Sequence, residues 1–154
     1  MKAVIQRVIS ASVEVEHQTV GQISEGLLVL LGAAKGDTEV DVDYMAEKIP
    51  NLRLFPDHEG KMNRSLMDIG GQVLIISQFT LLGDTHRGRR PGFDQAAPPG
   101  HARELYDAVI AKLRGKGVSI QTGQFGANML VSLKNNGPVT FILDSRKAGR
   151  GKIA

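Results

Sequence analysis

Polar residues abruptly end an apolar run at residues 77–81, where Ser-Gln-Phe-Thr-Leu follows Val-Leu-Ile-Ile at 73–76. The run is typical of a buried strand, so the side chains that end it are expected at the edge of a sheet. There the segment would present the hydroxyls of Ser77 and Thr80, the Gln78 amide and nearby backbone N–H groups. Ordinary strand termination explains the same pattern, and this segment alone does not decide between the two interpretations.

A second candidate segment is Asn136-Gly137-Pro138, which leads into an apolar run near the end of the chain. Glycine lacks a Cβ atom and permits close approach of the backbone, and proline fixes its own φ. A Gly-Pro pair more usually marks only a turn, and about 5–6% of X–Pro bonds are cis.

Residue types alone exclude several common catalytic sites. The chain has no cysteine, which excludes thiolate nucleophiles, disulfides, iron–sulfur clusters and thiolate zinc sites. Its histidines lack a short metal-ligand spacing, so we expect neither a metal nor another cofactor; they are His17, His58, His86 and His101. The GxSxG, HExxH and Walker patterns are also absent. A Ser-His-Asp triad stays open, because its members need to be close only in space.

Composition indicates one globular domain in the cytosol. The 154 residues are 42% hydrophobic and 23% charged, as in ordinary globular proteins. The longest uncharged apolar run, residues 26–34, is too short to span a bilayer, and the N-terminus lacks the apolar stretch of a signal peptide. We therefore expect a cytoplasmic location and no membrane partner.

Positive charge is concentrated in two places, although the formal net charge is only +3. Residues 86–90 read His-Arg-Gly-Arg-Arg, and residues 145–154 contain no acid but four basic residues, which are Arg146, Lys147, Arg150 and Lys152. Basic segments with interspersed glycine suit a phosphate backbone. A solvated loop and a solubilising tail account for the same charges equally well.

Hydrophobic periodicity predicts two helices among seven or eight strands. The helix patterns occupy residues 39–49 and 101–114, Gly21 marks a turn, and residues 83–100 form a loop without an apolar period. Strand patterns occupy residues 2–8, 12–16, 26–31, 52–55, 72–80, 118–122, 128–133 and 139–144. Because strands and helices do not alternate regularly, we predict a single-domain α+β fold with mainly antiparallel, barrel-like or layered sheets and two principal helices.

In their order and separation, the two candidate segments resemble the signature motifs of the D-aminoacyl-tRNA deacylase family. The resemblance covers nearly the whole chain, through residues 5–8, 11–13, 26–32, 60–63, 77–81, 105–106, 121–123, 129–133 and 137–141. The sequence departs from the family at Asn136, where Asp is frequent, and in its basic tail, since the family commonly ends soon after the last strand. We therefore predict a deacylase domain over residues 1–145 and a tail over 146–154.

The resemblance implies a homodimer with its active sites at the subunit interface. The residues assigned to catalysis follow one another in the chain and are Ser77, Gln78, Phe79 and Thr80. They would face the Gly137-Pro138 turn of the partner subunit, a cis bond in the family whose carbonyl oxygens point into the pocket. Arg7 matches a position that helps to hold this motif. Phe125 and Met129 are assigned to the substrate pocket, although Phe125 suits the core equally well.

The implied activity is hydrolysis of the ester bond of D-aminoacyl-tRNA, a proofreading step of translation. A rigid backbone wall would exclude an L side chain while D side chains of many sizes project elsewhere, which is specificity by clash. Glycine offers no side chain to reject, so glycyl-tRNA mischarged on tRNA-Ala would also be hydrolysed. Ser77, Thr80 or water could attack, and neither hydroxyl has an adjacent histidine or lysine in sequence. The resemblance favours assistance by the 2′-OH of the terminal adenosine.

Two other functions stay open. An editing domain of some archaeal threonyl-tRNA synthetases shares the fold, although a free chain of 154 residues with both motifs argues against it. A non-catalytic RNA-binding module would use the arginine-rich loop and the tail as its surface. Release of amino acid from D-tyrosyl-tRNA but not from L-tyrosyl-tRNA would distinguish the deacylase from such a module.

Overall fold

Residues 1–148 are described by a computed structural model and form eight strands, two long helices and two short helical segments. Arg150 and Lys152 of the predicted tail lie outside the described residues. The elements in chain order are β1 (Lys2–Val15), β2 (Gln18–Ile23), β3 (Gly26–Gly32), α1 (Glu39–Asn51), β4 (Phe55–Pro56), β5 (Met62–Arg64), α2 (Leu66–Ile69), β6 (Gln72–Ser77), a 3-10 helix (Phe79–Leu82), α3 (Pro99–Gly115), β7 (Ser119–Thr122) and β8 (Leu130–Asp144).

Six of the strands form one curved sheet around β1. Its order is β2-β1-β3-β6-β7, and β8 pairs along nearly the whole length of β1. The pairings of β1 with β2, β3 and β8 are antiparallel, whereas β3–β6 and β6–β7 are parallel. The predicted α+β class with two principal helices is confirmed. The sheet is mixed because the connections that contain α1 and α3 bring the chain back in the same direction.

The two end strands of this path, β2 and β7, approach each other at Gly21. A Cβ atom here would lie 2.5 Å from the carbonyl oxygen of Thr122, so only glycine allows the contact. The sheet is consequently almost closed, as in a barrel. The predicted turn at Gly21 is wrong, because the chain turns at Glu16 and His17, whose φ values are 49° and 64°.

Two pairs of predicted strands are single strands in the structure. The predictions at 2–8 and 12–16 merge into β1, and those at 128–133 and 139–144 merge into β8. Each long strand continues through the residues between because β1 and β8 support each other along both halves. Pairing between distant segments therefore overrides the local turn signals.

Two other predicted strands have wrong limits. Of residues 52–55, only the last pairs with β5, although Leu54 is buried. The predicted strand at 72–80 ends at Ser77, and the chain then forms the 3-10 helix at Phe79–Leu82. The apolar residues of that helix continue the hydrophobic pattern of β6, so periodicity alone does not separate the two elements.

The sheet has a large core on one face and a small core on the other. Successive side chains of a strand point to opposite faces. On β6, Val73 and Ile75 belong to the large core with α1 and α3, whereas Leu74 and Ile76 belong to the small core. All four are at most 1% exposed. The end of β6 is thus fixed from both sides, and the polar segment begins there.

The two long helices lie side by side and are joined by ion pairs. Lys116 Nζ of α3 lies 2.7 Å from Glu47 Oε2 of α1, and Lys112 contacts Glu39 and Asp43. In the part of the chain that the structure describes, no helix is long and apolar enough to cross a membrane.

Candidate active site

The polar segment, residues 77–81, is attached to the end of β3. The backbone N–H of Gln78 donates to the carbonyl of Leu31 at 2.8 Å. A Cβ atom on Gly32 would lie 2.7 Å from the Gln78 carbonyl oxygen and 2.6 Å from Leu82 Cδ2. Glycine is therefore required at the end of β3 for the polar segment to lie against it.

The turn of the 3-10 helix leaves two backbone donors without an internal acceptor. The N–H groups of Leu81 and Gly83 donate to the carbonyls of Gln78 and Thr80, at 3.3 and 3.0 Å. Those of Phe79 and Thr80 donate to no acceptor within residues 1–148. Adjacent N–H groups at the start of a helical turn form a binding site for a developing negative charge.

A cavity of about 720 Å³, the first cavity, opens beside this segment. Its wall combines the end of β6, the loop that precedes α3 and the loop that precedes β8. The structure brings together five residues that the sequence assigned to the site, which are Ser77, Gln78, Phe79, Phe125 and Met129. Thr80 does not line the cavity, but its hydroxyl accepts a hydrogen bond from the Gln78 side chain.

Aromatic side chains stand on two sides of the first cavity. Phe79 is 56% exposed and packs edge-on against Phe93, with 5.1 Å between ring centroids. Phe125 packs against Tyr106 at 5.8 Å, so it contacts the large core and also lines the cavity. Phe93 was not predicted from the sequence, because it lies in a loop with no periodicity and only the fold brings it to Phe79.

Within residues 1–148, the cavity lining includes one carboxylate, that of the exposed Asp94, and no histidine. Tyr106 donates to the carbonyl of Ile75 at 2.9 Å, and burial raises the pKa of its hydroxyl to about 12. No histidine of residues 1–148 lines the cavity: the His86 ring lies 2.7 Å from Asp84, and His101 lies 3.0 Å from the Asp37 carbonyl. The triad that the sequence left open is thus not formed in this part of the chain.

The Gly-Pro segment is a bulge in the middle of β8. Gln6 of β1 pairs with Thr140 and Val8 pairs with Asn135, so Arg7 alone lies opposite residues 136–139. Extra residues on one strand leave the ladder and protrude. We call these four residues the Gly-Pro bulge.

Gly137 and Pro138 have unusual backbone geometry in this bulge. The Gly137–Pro138 peptide bond is cis, and Gly137 has a φ of 155°. A Cβ atom on Gly137 would lie 2.5 Å from Val139 Cγ2 and 2.6 Å from the Val139 nitrogen. The position therefore has no room for a side chain.

Two side chains hold the base of the Gly-Pro bulge. Arg7 Nε donates to the Asn136 carbonyl at 2.8 Å, and its Nη1 donates to the Leu54 carbonyl at 2.6 Å. Asn135 Oδ1 accepts from the Val139 N–H at 2.8 Å, and its Nδ2 donates to the Val139 carbonyl at 3.1 Å. Asn135 was not predicted, and its only sequence signal is its place just before the Asn-Gly-Pro turn.

The structure does not bring the two candidate segments together within one chain. Arg7, Gly137 and Pro138 do not line the first cavity, which is formed by residues of other loops. Gly137 and Pro138 are exposed. Within one chain, the polar segment and the Gly-Pro bulge therefore lie in separate places.

Comparison with known proteins identifies the family of this chain. The family described as D-Tyr-tRNA(Tyr) deacylase matches residues 4–144. A D-aminoacyl-tRNA deacylase of Clostridioides difficile (strain 630) is 57% identical over 148 residues, which are 96% of this chain and 99% of that protein. One of Kosmotoga olearia is also 57% identical, over 96% of this chain and 99% of that protein.

Two solved structures share the fold. One, titled c-Myc DNA Unwinding Element Binding Protein, has a TM-score of 0.88 at 41% identity and covers 94% of this chain and 98% of that chain. A probable eukaryotic D-amino acid tRNA deacylase has a TM-score of 0.79 at 17% identity over 92% and 97%, which shows the fold alone. With a family match over nearly its whole length and relatives above 50% identity, the chain belongs to the D-Tyr-tRNA(Tyr) deacylase family.

Proposed function

We propose that this protein hydrolyses the ester bond of D-aminoacyl-tRNA and releases D-amino acid and tRNA. The observation that carries the proposal is the first cavity, which is lined by aromatic side chains and opens beside the two unpaired backbone donors of Phe79 and Thr80, in a chain of the deacylase family. Its volume of about 720 Å³ is within the usual range of small-molecule sites and suits an aminoacylated nucleoside.

The terminal adenosine and the acyl group have separate places in this proposal. The rings of Phe79 and Phe125 offer apolar faces against which the base packs. The N–H groups of Phe79 and Thr80 bind the carbonyl oxygen, whose negative charge grows as the tetrahedral intermediate forms. Ser77 and Gln78 orient the ester from the same strand end.

Water is the nucleophile, and the 2′-OH of the terminal ribose assists it. The hydroxyl of Thr80 accepts from the Gln78 amide, and an amide donor does not remove a proton from it. The cavity lining within residues 1–148 includes no histidine that would activate either hydroxyl. Water adds to the carbonyl carbon, the bond to the ribose oxygen breaks, and that oxygen takes up the proton.

The Gly-Pro bulge of a second subunit excludes L-residues. Asn136, Gly137 and Pro138 of the bulge are exposed, and Arg7 and Asn135 hold the bulge rigidly by hydrogen bonds. Inserted into the first cavity of a partner, its backbone would clash with an L side chain at Cα and leave D side chains free. Glycine has no side chain that could clash with the backbone of the bulge, so glycyl-tRNA mischarged on tRNA-Ala is a substrate as well.

The edge strand β8 provides the surface for such a homodimer. Within residues 1–148, β8 pairs with β1 alone. Exposed apolar side chains flank the bulge along this strand: Leu130 is 65% exposed, Leu133 36%, Phe141 41% and Ile142 75%. An unpaired edge with exposed apolar residues is a surface that a second copy covers in a symmetric dimer.

The tRNA body is held by the basic loop, residues 84–92. Asp84 and Gly92 close this loop by exchanging backbone hydrogen bonds of 2.7 and 2.9 Å. Its exposed tip carries Arg87, Arg89 and Arg90, which suit a phosphate backbone. Arg146 of the predicted tail instead contacts the domain, with Nε 3.2 Å from Asp37 Oδ1.

The decisive experiment is release of free amino acid from D-tyrosyl-tRNA and L-tyrosyl-tRNA at equal concentrations of purified protein. We expect rapid release from the D-substrate and none above the spontaneous rate from the L-substrate. Binding of both without release would show an RNA-binding module. Equal release from both would show a hydrolase without chiral selection.

A further inference from the structure

A second cavity adjoins the first and shares two residues with it. It has a volume of about 640 Å³ and lies between α3 and the strands β2 and β7. Tyr106 and Phe125 line both cavities, so this aromatic pair forms the partition between them. A ligand that fills the first cavity and extends past Phe125 therefore enters the second.

The second cavity is basic on its helix side. Arg103 and Arg114 both line it, and three turns of α3 separate them. The Arg103 guanidinium lies over the Phe125 ring, 5.7 Å from its centroid. Arg103 also lies 3.7 Å from Asp107, but both side chains are at least 60% exposed, so this ion pair is weak and easily exchanged for another anion.

Arg114 adds a second positive charge to this cavity, whose helix side also carries the carboxylate of Asp107. Arg114 forms no ion pair within residues 1–148, although Lys112 and Lys116 on the same helix are both paired with carboxylates of α1. The opposite wall offers Thr122 and Gln124, whose side chains both donate and accept hydrogen bonds. Positive charge, an aromatic face and neutral polar groups together are features of sites for single-stranded nucleic acid.

We propose that the second cavity binds the nucleotide that precedes the terminal adenosine of the tRNA, with Arg103 and Arg114 binding its phosphate groups. The proposal rests on the proposed function, because it needs that adenosine in the first cavity. Arg103, which lies over the partition, is placed for the phosphodiester that joins the two nucleotides. Arg114, farther along α3, is placed for the next phosphate. Phe125 then lies between neighbouring nucleosides and serves both cavities.

The test compares two substrates that differ only in the preceding nucleotides. D-tyrosyl esters of adenosine and of the trinucleotide cytidylyl-cytidylyl-adenosine are incubated with the full-length wild type, Arg103→Gln and Arg114→Gln. Arg64→Gln is the control, because it removes the same charge from an exposed residue that lines neither cavity. The quantity measured is the ratio of kcat/KM for the trinucleotide ester to kcat/KM for the adenosine ester, at low and high salt.

We expect the wild type to prefer the trinucleotide ester, and each α3 variant to reduce the ratio by about tenfold at low salt, as for loss of one charge-assisted hydrogen bond. Arg64→Gln should keep the wild-type ratio, and high salt should reduce the difference between variants. Because each ratio is internal to one protein, partial loss of folded enzyme does not change it.

Two results would overturn the proposal and are distinguishable. If the wild type hydrolyses both esters with equal efficiency, or if both α3 variants keep the wild-type ratio, the second cavity is not a nucleotide subsite and the proposed deacylation stands. If the wild type hydrolyses neither ester nor D-tyrosyl-tRNA, the proposed function itself is wrong, and the subsite is rejected with it.

Discussion

The polar segment at the end of β6 extends from a strand buried on both faces, whereas the Gly-Pro bulge protrudes from an edge strand and is held by hydrogen bonds at its base. The first is fixed by packing, since Gly32 admits the Gln78 carbonyl at a distance that no side chain would permit. The second is fixed by Arg7 and Asn135. Under the proposed function, hydrolysis would depend on a segment fixed by the core, whereas selection against L-residues would depend on a bulge fixed by hydrogen bonds.

The first prediction, with the greatest change in rate, concerns the 2′-OH of the terminal ribose. If the polar segment supplies orientation and backbone donors but no base, a substrate whose terminal ribose lacks its 2′-OH should be hydrolysed about 10³-fold more slowly, within the range of general acid–base assistance. Single-turnover rates with D-tyrosyl-tRNA ending in adenosine or 2′-deoxyadenosine measure this effect. Equal rates would show that the protein itself activates water.

The second prediction concerns a substitution in the Gly-Pro bulge. Gly137→Val places a Cβ atom 2.5 Å from Val139 Cγ2 at a φ of 155°, so the Gly-Pro bulge must move. We expect turnover of D-tyrosyl-tRNA to fall by about 10²-fold, because small displacements in a site have effects of this size. Gly100→Val is the control, since nothing lies within 4 Å of its Cβ position. Wild-type turnover by Gly137→Val would exclude the bulge from the pocket.

A smaller effect should separate selectivity from rate. Arg7→Gln removes the donors to the Asn136 and Leu54 carbonyls, which are 2.8 and 2.6 Å away. The bulge would then be less rigid, and we expect the ratio of D- to L-tyrosyl-tRNA hydrolysis to fall by about tenfold, mainly through faster L-hydrolysis. Arg53→Gln, which removes an exposed arginine that contacts Asn63, is the matched control. A lower melting temperature with an unchanged ratio would assign Arg7 to stability alone.

The same comparison shows which features a sequence can predict. The apolar run that becomes β3 was correctly predicted as a buried strand, and so was the apolar run 73–76 that precedes the polar segment, because burial leaves a local pattern. The continuity of β1 and β8 was missed, since it comes from pairing between residues more than a hundred positions apart. Phe93 and Asn135 were missed for the same reason: neither has a local pattern, and each becomes recognisable only through its contact with Phe79 or Val139.

The smallest expected effect concerns the Thr80 hydroxyl. This group accepts from the Gln78 amide, lies outside the lining of the first cavity and has no histidine partner within residues 1–148. Its backbone N–H, in contrast, has no acceptor within residues 1–148, and alanine keeps that donor. We therefore expect Thr80→Ala to retain single-turnover hydrolysis of D-tyrosyl-tRNA to within about threefold, as for loss of one exposed hydrogen bond.

Thr80→Ser, which restores a hydroxyl, should behave like Thr80→Ala. A covalent role gives a different order of activities, because removal of a nucleophile costs several orders of magnitude and serine would recover part of it. Rapid quenching during turnover, followed by mass measurement of the protein, provides an independent readout. An increase by the mass of one tyrosyl group on residue 80 would show that the hydroxyl attacks the ester. Retained activity in both variants, with no acylated protein, leaves the backbone donor as the contribution of this residue.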